Sequence, residues 1–253
     1  MQRINKNTPT GNQIIDVVLN SAWSQDEQRY EGKIYYGLLN DVSRIQLKNL
    51  FLVEQNSKCC YCLKDITADD MSIEHIIPQN ISTEDFNTYL VVPELTENVV
   101  HKNTFDRNTH NIPPQRYPHD LGYNNLIASC KSSTHCNNKR GNAPISPFIY
   151  DDEMIQSISY EPTGSVFTTL AELDALKLNN DFLKMIRRLW HLIADKIESL
   201  EEIINANALQ NVVDEIIVNE GEKYIETFSG ESSKVAVIFQ YKWFFNYYRQ
   251  NNN

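Results

Sequence analysis

Apolar residues recur at helical spacing in the first quarter of the chain. Four of them make up this series, at Leu38, Val42, Ile45 and Leu52. Spacing of this kind predicts an amphipathic helix, and Asn40 or Asp41 can cap its first turn. The helix should end before Asn56 and Ser57, a pair typical of turns.

A longer apolar series lies in the last third of the chain. Its members are Phe182, Ile186, Leu189, Ile193, Ile197, Leu200 and Ile204. These steps of three or four residues predict a helix of more than six turns, with its N-cap among residues 179–181. A second helix is predicted by Leu209, Val212, Val213, Ile216 and Ile217. The aromatic tail that follows, VAVIFQYKWFFNYY, is compatible with a buried helix, a strand or a partner surface.

The middle of the chain has weak periodicity and is rich in proline. We therefore expect residues 79–124 to form a long inserted loop, and loops of this length are usually functional. The patterns divide the chain into a mainly helical N-terminal arm (1–57), a central core that contains the loop (58–148), and a C-terminal helical region (149–253).

Composition fits an ordinary globular protein. The chain has 253 residues, 41% hydrophobic and 22% charged, which is enough to bury a sizeable core. It contains no run of 18 apolar residues, and its polar start, MQRINKNTPTGNQ, lacks the apolar segment of a secretion signal. We expect a cytoplasmic protein.

The charge is negative overall and unevenly distributed. A formal net charge of −10 argues against a surface coated with basic residues for nucleic acid. Residues 99–143 carry six basic and two acidic side chains, whereas residues 151–253 carry nine basic and seventeen acidic ones. The acidic C-terminal helices are either a solvated face or a docking surface for a partner. In the second case the interface would be centred on Trp243, Phe244, Phe245, Tyr247 and Tyr248.

Two cysteine pairs suggest a metal site. Cys59 and Cys62 form a CxxC pair, and Cys130 and Cys136 follow after a long gap. Two such pairs are typical of a structural four-cysteine zinc site, although five residues separate the second pair where two would be usual. His135 competes with Cys136 as a ligand, and we prefer the cysteine. The alternatives are buried free thiols or a redox pair, but the βαβ pattern of a redox pair is missing.

A carboxylate and a histidine stand side by side between the cysteine pairs. Glu74 and His75 lie in a short β-branched segment, MSIEHII, that Pro78 ends. A carboxylate can hold a divalent cation, and a neutral imidazole can take a proton from water. The alternative is a structural histidine in a strand.

The order of these motifs resembles the HNH nucleases of the zinc-stabilised ββα-metal type. The resemblance rests on the CxxC pair, EHIIP, NL-x3-C and CN-x2-R-G. It implies that His75 is the general base, that Asn125 orients the catalytic loop, and that Glu74 and Asn137 hold one catalytic divalent metal ion, Mg²⁺ or another. The four paired cysteines would hold the structural zinc. Arg140 would contact phosphate, with Lys139 and Arg116 as further basic contacts to substrate.

The flanking segments resemble one subfamily, the PtuB subunits of Septu and retron-associated anti-phage systems. The segments are Leu47 to Gln55, HCNNKRGN, ISPF and LKLNNDFLKMIRR. The resemblance implies a PtuA-like ABC-type ATPase as partner and a DNA or RNA substrate. Glu74 stands where aspartate is commoner, and the connection from Pro78 to Asn125 is unusually long.

We therefore expect an α+β protein with a ββα-metal core between mainly helical segments. The expected activity is metal-dependent hydrolysis of phosphodiester bonds. Two alternatives remain: a non-catalytic zinc-ribbon module that binds nucleic acid or protein, and a stand-alone HNH nuclease without an ATPase.

Overall fold

The computed structural model describes residues 1–32, 34–203, 206–220 and 232–251. It is mixed α/β, with roughly 46% of residues in helices and 11% in strands. The helices are α1 (Thr8–Ser21), α2 (Asp41–Glu54), α3 (Thr83–Thr88), α4 (Pro93–Thr96), α5 (Asn137–Arg140), α6 (Asp152–Gln156), α7 (Asp181–Lys196), α8 (Ala206–Glu220), α9 (Ser232–Phe239) and α10 (Trp243–Asn251). The strands are β1 (Trp23–Ser24), β2 (Arg29–Tyr30), β3 (Met71–His75), β4 (Val99–Val100), β5 (Tyr117–Pro118), β6 (Leu126–Cys130), β7 (Ser159–Tyr160) and β8 (Val166–Phe167).

The longest strand pair of the described chain lies at its centre. Strands β3 and β6 are antiparallel, and their register runs from Met71 opposite Cys130 to His75 opposite Leu126. Every residue of β6 is buried, as is typical of a strand covered on both faces. The short helix α5 follows β6 after a six-residue connection. The predicted β-branched strand before Pro78 is thus confirmed as β3.

The N-terminal arm packs against this pair through α2. The predicted helix is confirmed, and the Asn40 side chain accepts a hydrogen bond from the Ser43 amide at 2.9 Å. The predicted apolar face is wrong, because Val42 and Ile45 are 64% and 58% exposed. The buried face instead carries Leu47 and Phe51.

Packing against Tyr123 explains why that face is buried. The Phe51 ring stacks on Tyr123 with centroids 5.6 Å apart. Just beyond the helix, the Gln55 side chain forms two hydrogen bonds with the backbone of Ala128 in β6, at 2.8 and 2.9 Å. Helix α1 reaches the same ring through Gly11, where a Cβ atom would lie 2.2 Å from Tyr123.

The inserted segment 79–124 is not one continuous loop. It contains α3, α4 and the parallel pair β4–β5. Helix α3 is capped by Ser82, and α4 begins at Pro93. Helices of six and four residues are too short for a periodic apolar series, so only these start signals could have revealed them.

The C-terminal region begins as predicted and then departs from the prediction. The N-cap of α7 is Asn180, whose side chain accepts a hydrogen bond from the Leu183 amide at 2.9 Å. The helix ends at Lys196, where the apolar series had predicted a continuation to Ile204. Ile197 is extended, and Ser199 with Glu202 forms a capping box that starts a separate 3₁₀ turn. This local capping ends the helix although the periodicity continues. The second predicted helix is confirmed as α8.

The aromatic tail belongs to the core. Within α10, Phe244, Phe245 and Tyr248 are buried, and α10 packs along α7. Trp243 and Tyr247 are partly buried and lie at 5.9 and 5.1 Å from the Tyr160 ring. Three of the five aromatic residues are thus covered by the chain itself, so the docking-surface alternative retains only the partly buried rings of Trp243 and Tyr247.

The described buried apolar side chains form one cluster that extends from Met1 to Tyr248. Among the described helices, none has the length and the apolar character that a membrane span requires.

Candidate metal centre and active site

Four cysteine sulfurs meet at one buried point. The Sγ atoms of Cys59, Cys62, Cys130 and Cys136 all lie within 4.8 Å of one another. Cys59 and Cys136 are 3.8 Å apart, and Cys62 and Cys130 are 3.7 Å apart. Metal–sulfur bonds of about 2.3 Å in a tetrahedron place sulfurs about 3.8 Å apart, so the set could hold a metal ion such as zinc.

Local backbone geometry brings each pair into place. The CxxC segment forms a tight turn in which the Leu63 amide bonds the Cys59 carbonyl at 3.1 Å, with Leu63 at φ 62°. Cys130 is the last residue of β6, and its amide donates to the Cys59 sulfur at 3.3 Å. Cys136 has a φ of 61°, which turns the chain into α5. Both sites of positive φ are unusual for residues other than glycine, and both adjoin the sulfur cluster.

The pKa values of the clustered thiols are also compatible with a cation bound among them. Burial opposes ionisation of Cys59, but hydrogen bonds from Cys130 and Cys136 outweigh it and hold the pKa of Cys59 well below its usual range. Burial raises the pKa of Cys62 and Cys136 well above theirs. Like charges this close disfavour one another, so full ionisation of the four thiols requires a cation among them.

Two neighbouring residues stay outside the cluster. Cys60 is buried, and its amide donates to Ala128 of β6 at 3.1 Å, which ties the CxxC turn to the strand. The Nδ1 atom of His135 lies 2.9 Å from the Ser132 hydroxyl and 3.0 Å from the Thr134 hydroxyl. The structure thus brings together the four cysteines that the sequence pattern paired, and His135 is not among them.

Glu74 lies at the C-terminal end of β3, inside the protein. Its Oε1 atom is 2.5 Å from Arg140 Nη1 and 3.4 Å from the Tyr61 hydroxyl. Burial raises the pKa of Glu74 to about 7, and Arg140 and Tyr61 oppose that rise.

Arg140 is also buried and is fully engaged with the chain. Its guanidinium donates to the carbonyls of His75 at 2.7 Å, Ile76 at 2.5 Å and Ala143 at 3.0 Å, besides Glu74. The expected contact of Arg140 with phosphate has no support in this geometry. The side chain instead ties α5 to the end of β3.

His75, the next residue, is 9% exposed. Its Nε2 atom lies 3.1 Å from the Asp120 carbonyl oxygen. Because that oxygen can only accept, we assign the proton to Nε2, which leaves the lone pair on Nδ1. Burial lowers the pKa of His75 to about 4, so the ring is neutral at physiological pH. The ring therefore has the charge state and the tautomer that a proton acceptor at Nδ1 needs.

Asn125 joins the two backbone segments next to His75. Its Oδ1 atom accepts from the Ile77 amide at 2.6 Å, and its Nδ2 atom donates to the carbonyls of Ile77 at 3.0 Å and His119 at 2.7 Å. The side chain is fully buried. Asn125 thus has the contacts that an orienting residue requires.

The other predicted site residues lie toward solvent. Asn137 is the first residue of α5, half-buried and three residues before Arg140, so the two share a helix face. Among the described residues, the Asn137 side chain forms no hydrogen bond with Glu74 or His75. Lys139 and Arg116 are exposed, and Arg116 lines an open cleft with Val100 and Thr104.

Four residues around His75 were not anticipated from the sequence. The Tyr36 ring meets the imidazole edge-to-face at 4.9 Å, and the Gln79 side-chain nitrogen lies 3.2 Å from Nε2 and 3.5 Å from Nδ1. Asp120 provides the carbonyl, and Lys102 lies beside Asp120. Gln79 immediately follows Pro78 and is only four residues beyond His75. This closeness in sequence is a signal that could have identified it. The other three come from distant positions and had no local signal.

Comparisons with protein-family models, with curated proteins and with solved structures gave no match to this chain.

Proposed function

We propose that this chain is a metal-dependent endonuclease of the HNH type that hydrolyses nucleic-acid phosphodiester bonds. The observation that carries the proposal is the set of residues at the end of the β3–β6 pair. A neutral imidazole at His75, a carboxylate at Glu74 and an orienting amide at Asn125 all lie there. Helix α5 follows, and a four-cysteine cluster holds its start to the strands.

In this mechanism, the Nδ1 atom of His75 takes a proton from a water molecule whose oxygen attacks phosphorus. The phosphorus–oxygen bond to the leaving sugar breaks, and the released sugar oxygen takes a proton from solvent water. The ring keeps its orientation through the Nε2 hydrogen bond to the Asp120 carbonyl. Glu74 and Asn137 would hold the divalent cation, which would stabilise negative charge on the phosphate oxygens. A general base of this kind is typically worth about 10²- to 10⁴-fold in rate.

Access to this site requires a local displacement. The Gln79 side chain lies 3.5 Å from Nδ1, on the side from which water would be deprotonated. The Tyr36 ring covers another edge of the imidazole. Substrate binding must therefore move the Gln79 side chain, the Tyr36 ring or both.

We further propose that an ABC-type ATPase partner provides most of the surface that binds nucleic acid. Three basic side chains of the positive segment are engaged by the chain's own carbonyls: Lys102 by Gln79, Arg107 by Tyr30, and Arg140 by His75. The net charge of −10 further weakens attraction to phosphates. The chain alone should bind duplex weakly at physiological salt in a filter assay, and tight binding would contradict the role of the partner.

One observation favours the zinc-ribbon alternative, in which the chain is a non-catalytic binding module. The Glu74 carboxylate is already paired with Arg140 inside the protein, as expected for a structural ion pair. The two functions differ in metal-dependent cleavage. The test uses the zinc-loaded full chain, alone and co-expressed with an ATPase partner, on supercoiled plasmid and on total RNA.

Under the nuclease proposal, added Mg²⁺ or Mn²⁺ produces nicks or fragments in at least one of these mixtures. Replacing Glu74 with Gln keeps an oxygen that accepts from Arg140 but removes the charged ligand for the divalent cation. This variant should lose the cleavage while its zinc content stays unchanged. Absence of cleavage by the unaltered protein in every mixture would favour the binding module.

A further inference from the structure

Lys102 joins the two segments that contact the His75 ring. Its Nζ atom donates to the Gln79 carbonyl at 2.7 Å and lies 3.5 Å from Asp120 Oδ2. Gln79 contacts the ring through its side chain, and Asp120 contacts it through its backbone carbonyl. The Lys102 ammonium group therefore binds both residues that contact the ring.

The backbone places Lys102 in this position. In the parallel pair β4–β5, the His119 amide donates to the Val100 carbonyl at 2.8 Å, which aligns the start of the Lys102 loop with Asp120. The Lys102 amide then donates to His119 Nδ1 at 3.1 Å. The His119 carbonyl in turn accepts from Asn125. Hydrogen bonds thus connect Lys102, through His119, to Asn125, the residue proposed to orient the loop.

The Asp120 carboxylate is buried and therefore requires the Lys102 ammonium group as its partner. Asp120 is 1% exposed, and its Oδ1 atom has no hydrogen-bond partner in the described part of the chain. Lys102 is the cation that pairs with this carboxylate. Burial raises the pKa of Asp120, and Lys102 opposes that rise. Without the ammonium, a buried carboxylate would lose its partner, and the loop would have to move to hydrate it.

We propose that Lys102 is a positioning residue, which holds the backbone of Gln79 and of Asp120 beside His75. The Asp120 carbonyl held in this way accepts from Nε2 and so fixes the orientation and the tautomer of the imidazole. This role rests on the proposed nuclease function. Lys102 acts on the rate of the chemical step through His75 and does not touch substrate, because its ammonium is already engaged by a carbonyl and a carboxylate.

The test compares three variants of the zinc-loaded full chain, with the ATPase partner if cleavage requires it. Lys102→Met removes the charge and keeps the side-chain length, and Lys102→Arg restores the charge. Lys48→Met is the matched control, because Lys48 is also half-buried and donates to a backbone carbonyl, that of Ala68 at 2.6 Å. Zinc content and thermal unfolding are measured on the same preparations.

The first readout is Mg²⁺-dependent cleavage of supercoiled plasmid or total RNA, whichever the unaltered protein cuts. We expect Lys102→Met to lower kcat by about 10- to 100-fold, as is typical when a catalytic group is misplaced. The KM should stay within about threefold, because no contact with substrate is lost. Lys102→Arg should recover most of the rate, and Lys48→Met should behave as the unaltered protein. A rise in KM at constant kcat would overturn the proposal in favour of direct binding to substrate.

The second readout is independent of cleavage. Nitrogen-15 spectra of histidine-labelled protein report which ring nitrogen of His75 carries the proton. We expect the Nε2–H form in the unaltered protein and in Lys48→Met, and a mixture of tautomers or a broadened signal in Lys102→Met. Unchanged His75 signals in Lys102→Met would overturn the proposal. If the unaltered protein cuts nothing, the nuclease function fails, and these spectra still decide whether Lys102 positions the ring.

A second variant covers the case in which Lys102→Met does not fold. Asp120→Asn keeps the backbone carbonyl and the side-chain shape but removes the charge that pairs with Lys102. It should shift the His75 signals in the same direction, and unchanged signals would again overturn the proposal.

Discussion

The Nη1 atom of Arg140 lies 2.5 Å from Oε1 of Glu74, and both side chains are buried. The same guanidinium donates to the carbonyls of His75 and Ile76. This one side chain therefore sets how α5 lies against the end of β3. The contact links the last residue of the helix that begins at Asn137 with the strand that carries His75.

Loss of this ion pair should strongly destabilise the fold. Replacing Arg140 with Met leaves a buried carboxylate without its partner, so we expect the free energy of unfolding to fall by about 3–5 kcal/mol. The measurement is urea unfolding of the zinc-loaded chain. Adding Glu74→Gln to this variant should recover part of the loss, because it removes the uncompensated charge.

Lys139→Met is the control for this prediction, since Lys139 is the exposed neighbour of Arg140. It should change the free energy of unfolding by no more than about 0.5 kcal/mol. Equal unfolding midpoints for Arg140→Met and Lys139→Met would show that the Glu74–Arg140 contact does not stabilise the fold.

The four-cysteine cluster predicts different effects for two neighbouring cysteines. Cys62→Ser should lose the bound zinc and unfold at a much lower temperature, because the binding energy of a structural metal site contributes to folding. Cys60→Ala should keep its zinc, since Cys60 lies outside the sulfur set. Zinc analysis after dialysis, together with a thermal melt, checks both variants. Retention of zinc by Cys62→Ser, or its loss from Cys60→Ala, would contradict the assignment.

Acid should destabilise the protein through His119. Burial lowers the pKa of His119 to about 3, whereas an unfolded histidine titrates near 6.5. Between these values the unfolded state binds a proton that the folded state does not. Stability from the neutral His119 is therefore complete above pH ~6.5 and is lost as the pH falls below it.

The variant His119→Asn isolates this contribution, because its Oδ1 atom can replace Nδ1 as the acceptor for the Lys102 amide. From pH 7.5 to pH 5.5, the free energy of unfolding of the unaltered chain should fall by about 1.4 kcal/mol more than that of the variant. The reason is that pH 5.5 lies one unit below the pKa of a free histidine, and one unit corresponds to about 1.4 kcal/mol. The comparison of the two chains removes the effect of acid on the cysteine cluster. Parallel stability curves for the two proteins would contradict the prediction.

Features set by neighbouring residues could be predicted from the sequence. The CxxC turn, the Asn180 cap of α7 and the strand before Pro78 each depend on a few adjacent side chains. The two cysteine pairs could be grouped because metal ligands have characteristic spacing.

Features that depend on contacts between residues far apart in the chain could not be predicted from the sequence. Arg140 is basic and follows a matched motif, so its pattern favoured phosphate, yet its partner Glu74 lies 66 residues earlier in the chain. Lys102 reaches Gln79, 23 residues away, and no periodicity encodes that contact. The buried face of α2 was misassigned for the same reason, since the position of the Tyr123 ring decides it.

The central claim is that His75 is the base of a phosphodiesterase, and a comparison of two histidine variants tests it most directly. His110→Ala is the control, because His110 is an exposed histidine of the inserted segment 79–124, where it stacks on Trp23. The measurement is the rate of Mg²⁺- or Mn²⁺-dependent cleavage of plasmid and total RNA by zinc-loaded protein, with the proposed ATPase partner present. We predict that His75→Ala loses about 10²- to 10⁴-fold in rate with its zinc and fold intact, whereas His110→Ala cuts normally. Cleavage by His75→Ala at the rate of the unaltered protein would contradict the claim.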